Sequence, residues 1–135
     1  MYKVFIVEDE HLIRDSLRHQ IMTLAKQYPI VYSDEAADGE LALASIPDLR
    51  PDIIISDIKM PFMDGLVFAK EAKKLLPQVR IIFVSGFDDF DYAKTALQLQ
   101  ADDYLLKPIK NEELEQAIKT VVQHLDEQQA THQQL

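Results

Sequence analysis

In 135 residues this sequence sets 23 Asp and Glu against 14 Lys and Arg, a net charge of −9 at pH 7, and it contains no cysteine. The length suits one domain that buries roughly two-thirds of its unfolded surface. The acidity opposes phosphate-backbone binding, so direct contact with nucleic acid by this segment is not expected. The lack of cysteine excludes disulfides and thiolate metal sites and suits a cytoplasmic location. Apolar runs such as Ile81-Ile82-Phe83-Val84 fall far short of the ~20 residues that cross a bilayer, and neither a signal peptide nor a membrane partner is expected.

Lys3-Val4-Phe5-Ile6-Val7 reads as a buried strand that emerges into Glu8-Asp9-Glu10. Ile13, Leu17, Ile21 and Leu24 then draw one apolar stripe along a helix that ends before Pro29. Ile30-Val31-Tyr32 begins a second strand. Asp38-Gly39-Glu40 turns into a helix over Leu41-Ala42-Leu43-Ala44, which Pro47 is expected to cut short. The third strand, Ile53-Ile54-Ile55-Ser56-Asp57, is apolar on both faces and places Asp57 at its carboxyl end. After a loop through Pro61 and Gly65, Leu66, Ala69, Ala72 and Leu76 form a helical stripe stopped by Pro77.

Arg80-Ile81-Ile82-Phe83-Val84 delivers Ser85-Gly86, and Phe90, Ala93 and Leu97 sketch a short fourth helix. A fifth strand, Tyr104-Leu105-Leu106, delivers Lys107-Pro108. Asn111 is expected to N-cap a last helix carrying Leu114, Ile118, Val121 and Leu125, with Glu112 and Glu113 in its first turn. The expected domain covers residues 1–127. Residues 128–135 lose the apolar period and read as a polar tail or the start of a linker to an absent output domain.

Strands alternating with helices predict a doubly wound α/β fold, a five-stranded parallel sheet of flavodoxin-like order 2-1-3-4-5 with helices on both faces. Strands one and three are then neighbours, and Glu8, Asp9 and Asp57 meet at the switch point. Carboxylates about 4 Å apart repel by roughly 4 kcal/mol at an effective dielectric of about 20, so such a rim calls for a counter-charge. Oxygen ligands alone point to Mg2+, or Mn2+, rather than zinc. A nucleophilic carboxylate at Asp57, beside a cation, a lysine at 107 and a hydroxyl at 85, has the parts that in-line phosphoryl transfer needs. Taken singly, each residue has a plainer reading: a strand-ending acid at Asp57, a solvated lysine at 107, turn chemistry at Ser85 and a half-buried aromatic at Tyr104.

Glu8-Asp9, Asp57 with Lys59-Met60-Pro61 and Asp64-Gly65, Ser85-Gly86 and Lys107-Pro108, in this order and at these separations, resemble the receiver domain of two-component response regulators. The resemblance covers residues 3 to about 125. It implies that Asp57 accepts a phosphoryl group from a sensor histidine kinase in a magnesium-dependent reaction. It also implies metal binding by Glu8 (through water), Asp9, Asp57 and the backbone carbonyl of Lys59. Ser85 and Lys107 would contact the phosphoryl group, Ser85 and Tyr104 would act as the switch pair, and Gly86 and Pro108 would be structural, with a cis Lys107–Pro108 bond.

The implied protein is a signalling domain rather than an enzyme with a substrate of its own. It would form a homodimer through the last helix and strand on phosphorylation and control transcription through DNA contacts of an output domain. The loop Ser85-Gly86-Phe87-Asp88-Asp89-Phe90-Asp91-Tyr92-Ala93 is similar to receivers joined to helix-turn-helix domains of the arabinose-regulator type. Gln100 stands where the family often has glycine, a departure that bears on the output face. Two enzyme or cofactor readings fit less well. A haloacid-dehalogenase-type phosphatase needs an acid where Lys59 stands, and a flavodoxin-type phosphate loop would meet repulsion at Glu8-Asp9-Glu10. A third alternative is a receiver-like domain that only dimerises.

Overall fold

The computed structural model describes residues 1–86, 95, 98 and 101–134, with side chains through residue 131. Five parallel strands, β1 (Tyr2–Val7), β2 (Ile30–Ala36), β3 (Ile53–Asp57), β4 (Arg80–Ser85) and β5 (Asp103–Leu106), form one sheet in the order β2-β1-β3-β4-β5, as expected. Helices α1 (His11–Leu24), α2 (Gly39–Leu49), α3 (Gly65–Leu75) and α4 (Asn111–Gln134) flank it. The helix expected over Phe90, Ala93 and Leu97, most of the loop before it and Gln100 lie outside the described residues, although Thr95 and Gln98 are helical.

The two-residue period of the strands splits the core between the two faces. Val4, Ile6, Ile53, Ile55, Ile82 and Val84 pack against Leu17 and Ile21 of α1 and Leu114, Ile118 and Val121 of α4. Phe5, Ile54, Ile81 and Phe83 pack against Ala42 and Ile46 of α2 and Phe68, Ala69 and Ala72 of α3. This is why the strands read as unbroken apolar runs, since each residue is buried whichever way it points.

Three boundaries depart from expectation. α2 does not stop at Pro47 but runs through it to Leu49. Pro47 lacks an N–H for the Leu43 carbonyl, yet it lies in the last turn. Burial of Ala42 and Ile46 and the bond from Arg50 N–H to Ile46 O, 2.8 Å, hold that turn together. Asn111 is the first helical residue rather than the cap: its Oδ1 accepts from Gln20 Nε2 of α1 at 2.7 Å, so the side chain serves a tertiary contact. The 128–134 stretch, read as a polar tail or the start of a linker, continues α4. No Gly or Pro interrupts it, and Tyr2 OH donates to Asp126 Oδ1 at 2.6 Å, tying the helix beyond Leu125 to the start of β1. Among the described residues no helix is long and apolar enough to cross a membrane.

Candidate functional site

Strand register assembles the rim. Val7 lies opposite Ser56, so one residue further on Glu8 and Asp57 leave β1 and β3 side by side. Ser85 ends β4 opposite Leu106 of β5, which brings Lys107 to the same edge, where its N–H donates to Ser85 O at 2.8 Å. Gly65 closes the rim from below. Its N–H donates to Ile58 O at 2.7 Å, and a Cβ there would lie 2.0 Å from Asp57 O. The reading of Gly65 as a loop glycine missed this contact, in which α3 can start against the backbone of Asp57 only without a side chain. At Gly86 a Cβ would meet none of the described residues within 4 Å and φ is not positive, so those surroundings make no steric demand for glycine.

Glu8 and Asp57 are buried, Asp9 is half-buried, and one carboxylate oxygen from each lies within 4.8 Å of the others. Lys107 Nζ reaches both Glu8 Oε1, at 2.7 Å, and Asp57 Oδ2, at 3.2 Å. Asp57 Oδ1 accepts from Ile58 N–H at 2.8 Å. Glu8 Oε2 and Asp9 Oδ1 are buried with no hydrogen-bond donor among the described residues. Burial, with the facing Asp57 carboxyl adding to it, pushes the Glu8 carboxyl up to about 8 against the pull of Lys107. Burial also raises Asp57, against the pull of the Lys107 ammonium. For Lys107 burial works the other way, and the bond to Glu8 and the charge of Asp57 overcome it and raise its pKa.

One ammonium thus faces three acids, and charge balance needs a proton or a cation. Two buried acceptors without donors and an all-oxygen ligand set fit a hard divalent ion. Lys59 follows on the exposed loop two residues past Asp57.

Ser85 is buried, donates from Oγ to Gly86 O at 3.1 Å, and sits 2.5 Å from Tyr104 OH. The Lys107–Pro108 peptide is cis. The expected residues therefore converge on one edge of the sheet. Residue-by-residue reading missed the support behind them: Arg14 of α1 donates from Nη1 to Glu8 O at 2.8 Å and from Nε to Glu35 Oε2 at 2.7 Å.

Sheet order, helix placement and an acidic rim at the switch point define a receiver-type signalling domain of the flavodoxin-like class. Residues 4–119 match the response regulator receiver domain, and the chain belongs to that family. It is similar to an uncharacterized response regulatory protein of Staphylococcus epidermidis, 37% identical over 93% of this chain and 48% of that protein. It is also similar to the transcriptional regulatory protein HptR of Staphylococcus aureus, 35% identical over 96% of this chain and 50% of that one. The chain spans about half the length of these curated relatives. Among solved structures, the receiver domain of the response regulator AraT from Geobacillus stearothermophilus superposes with a TM-score of 0.88 at 38% identity, covering 95% of this chain and 98% of that one. A two-component transcriptional regulator AraC from Clostridium phytofermentans gives 0.84 at 33% identity, covering 97% and 99%.

Proposed function

We propose that this domain accepts a phosphoryl group on Asp57 from the phosphohistidine of a sensor kinase and uses it to switch an output. The observation that carries the reading is the bridge from Lys107 Nζ to Glu8 and Asp57 beside Asp9. It leaves a buried carboxylate with a cation on one side and unsatisfied acid oxygens on the other. An Asp57 oxygen attacks phosphorus, the P–N bond of the phosphohistidine breaks, and the imidazole leaves. Glu8, Asp9, Asp57 and the Lys59 carbonyl would hold Mg2+, which when bound supplies charge neutralisation for the phosphoryl oxygens.

Lys107 then exchanges a carboxylate partner for a phosphoryl oxygen. The product carries more negative charge than the carboxylate and offers three acceptor oxygens. Ser85 must turn its proton from Gly86 O toward the phosphoryl group, and its short contact with Tyr104 OH couples that turn to the tyrosine. A switch from about 1% to 99% active needs about 5.5 kcal/mol of preference between the states. Two charge-assisted bonds at roughly 1.5–3 kcal/mol each barely reach this. Dimerisation through α4 and β5 adds the remainder. The similarity to HptR and the Clostridium regulator supports transcription as the output, exerted in the cytoplasm by a DNA-binding domain outside these 135 residues.

The test is intact-protein mass after incubation with acetyl phosphate, with and without Mg2+, on the wild type and Asp57→Asn. A single Mg2+-dependent phosphoryl adduct that the substitution removes is the expected result. No adduct under any condition would leave a domain that acts by dimerisation without phosphoryl transfer.

A further inference from the structure

The acidic rim rests on a half-buried cation that none of the expected roles uses. Arg14 sits in the second turn of α1 with its side chain 17% exposed and spans two acceptors: the backbone carbonyl of Glu8 and the carboxylate of Glu35. Glu35 is itself fixed from three sides, since Arg18 Nη1 donates to its Oε1 at 2.6 Å and Tyr32 OH donates to the same oxygen. Arg18 also donates to Asp15 at 2.8 Å.

A register shift in β2 makes the arrangement. Val4 pairs with Tyr32 but Phe5 pairs with Asp34, so Ser33 is an extra residue and Glu35 falls opposite Ile6. Ile6 points to the α1 face of the sheet, and the shift turns Glu35 to that face too, within reach of Arg14. Without the extra residue Glu35 would point to the α2 and α3 face.

From this geometry we infer that Arg14, held by Glu35, is a positioning residue for the metal pair Glu8–Asp9. It clamps the carbonyl at the point where β1 becomes the acidic loop and so fixes where both carboxylates project. The inference rests on the metal reading given above and extends it to the support of the ligands. Supports that orient a metal ligand are typically worth about 10–100-fold in metal affinity. Arg14 touches no reacting atom in this arrangement, so its removal should weaken Mg2+ binding while leaving the chemistry at saturating Mg2+ nearly unchanged.

The test compares Arg14→Ala, Arg14→Lys and Arg18→Ala in the 135-residue chain. Mg2+ dissociation constants come from calorimetric titration without a phosphodonor, unfolding midpoints from urea, and phosphorylation rates from acetyl phosphate across a Mg2+ series. Arg14→Ala is expected to raise the Mg2+ Kd about tenfold or more, with the maximal rate within about twofold of wild type. Arg14→Lys keeps the charge but cannot fork to both acceptors, and it should show an intermediate Kd. If Arg14→Ala does not fold, Arg14→Lys decides. Arg18→Ala shares Glu35 but does not touch Glu8, so it should lower the urea midpoint and leave the Kd within about twofold.

A folded Arg14→Ala or Arg14→Lys with wild-type Kd would overturn the inference, as would an equal Kd change in Arg18→Ala. A wild-type chain that binds no Mg2+ would overturn the metal reading, and this inference with it.

Discussion

Replacing Gly65 by alanine tests how tightly the helix that follows the rim is seated against Asp57. The new Cβ would stand 2.0 Å from Asp57 O and 2.8 Å from Ile58 Cα, both backbone atoms that no rotamer change can move. An ordinary carbon–oxygen contact is longer by more than about 1 Å, so α3 must back away, and the 2.7 Å bond from Gly65 N–H to Ile58 O is lost or lengthened. Overpacking of this kind costs about 1–3 kcal/mol and a lost hydrogen bond about 1 more, against a gain of up to about 1 kcal/mol in helix propensity. The net expectation, with the propensity gain taken in full, is a loss of about 1–3 kcal/mol, or roughly 3–12 °C in Tm for a domain of this size.

The internal control is Gly39→Ala. Its Cβ would meet only the Met63 side chain, at 3.1–3.2 Å, and a flexible methionine can yield. Thermal unfolding followed by far-UV circular dichroism reads both. A Gly65→Ala chain that melts within about 2 °C of wild type, or no lower than Gly39→Ala, would refute the argument that Asp57 and α3 share a space only glycine leaves open. Mg2+ affinity should fall in the same variant, because the displaced backbone carries Asp57.

Three further outcomes follow from the charges. The folded-state pKa of Glu8, about 8 against an ordinary 4.5, means that the folded chain holds a proton the unfolded chain releases. Stability without metal should therefore fall as pH rises from about 4.5 through 8; the Tm increase on adding Mg2+ should be larger at about pH 8.5 than at about pH 6, and an increase independent of pH would contradict the shift. Asp57→Asn removes one of the acids facing Glu8 and should flatten that decline in urea unfolding midpoints measured across the same range. Glu35 is the opposite case. Burial alone would raise it, but Tyr32, Arg18 and Arg14 overcome this and hold its pKa below the usual 4.5. Its contribution is fully present above about 4.5 and is lost as pH falls through the lowered value, so Glu35→Gln should narrow the stability gap to wild type in acid; a gap that widens there would reject the assignment.

The sequence by itself determined the strands and placed Glu8, Asp9, Asp57, Ser85 and Lys107 at or just past their carboxyl ends, because these depend on local rules; the order 2-1-3-4-5 is expected from the doubly wound fold class. A parallel strand buried on both faces is an unbroken apolar run, and in a doubly wound sheet the carboxyl ends of such runs share one edge. Reading each run to its last apolar residue was enough to find the edge. Where local rules met packing, packing decided. Pro47 should end a helix, but the buried Ala42 and Ile46 carry α2 through it. Asn111 has the chemistry of a cap, but Gln20 of α1 takes its side chain.

What only the tertiary structure decided are facts about distance between residues far apart in the chain. Two examples are the 2.0 Å that makes Gly65 obligatory and the one-residue shift at Ser33 that turns Glu35 toward Arg14. No local pattern encodes a β-bulge in one strand together with the helix face it must meet. Arg14, Arg18 and Glu35 therefore read as ordinary surface charge until β2 is laid against β1, and the sheet then closes them under the site.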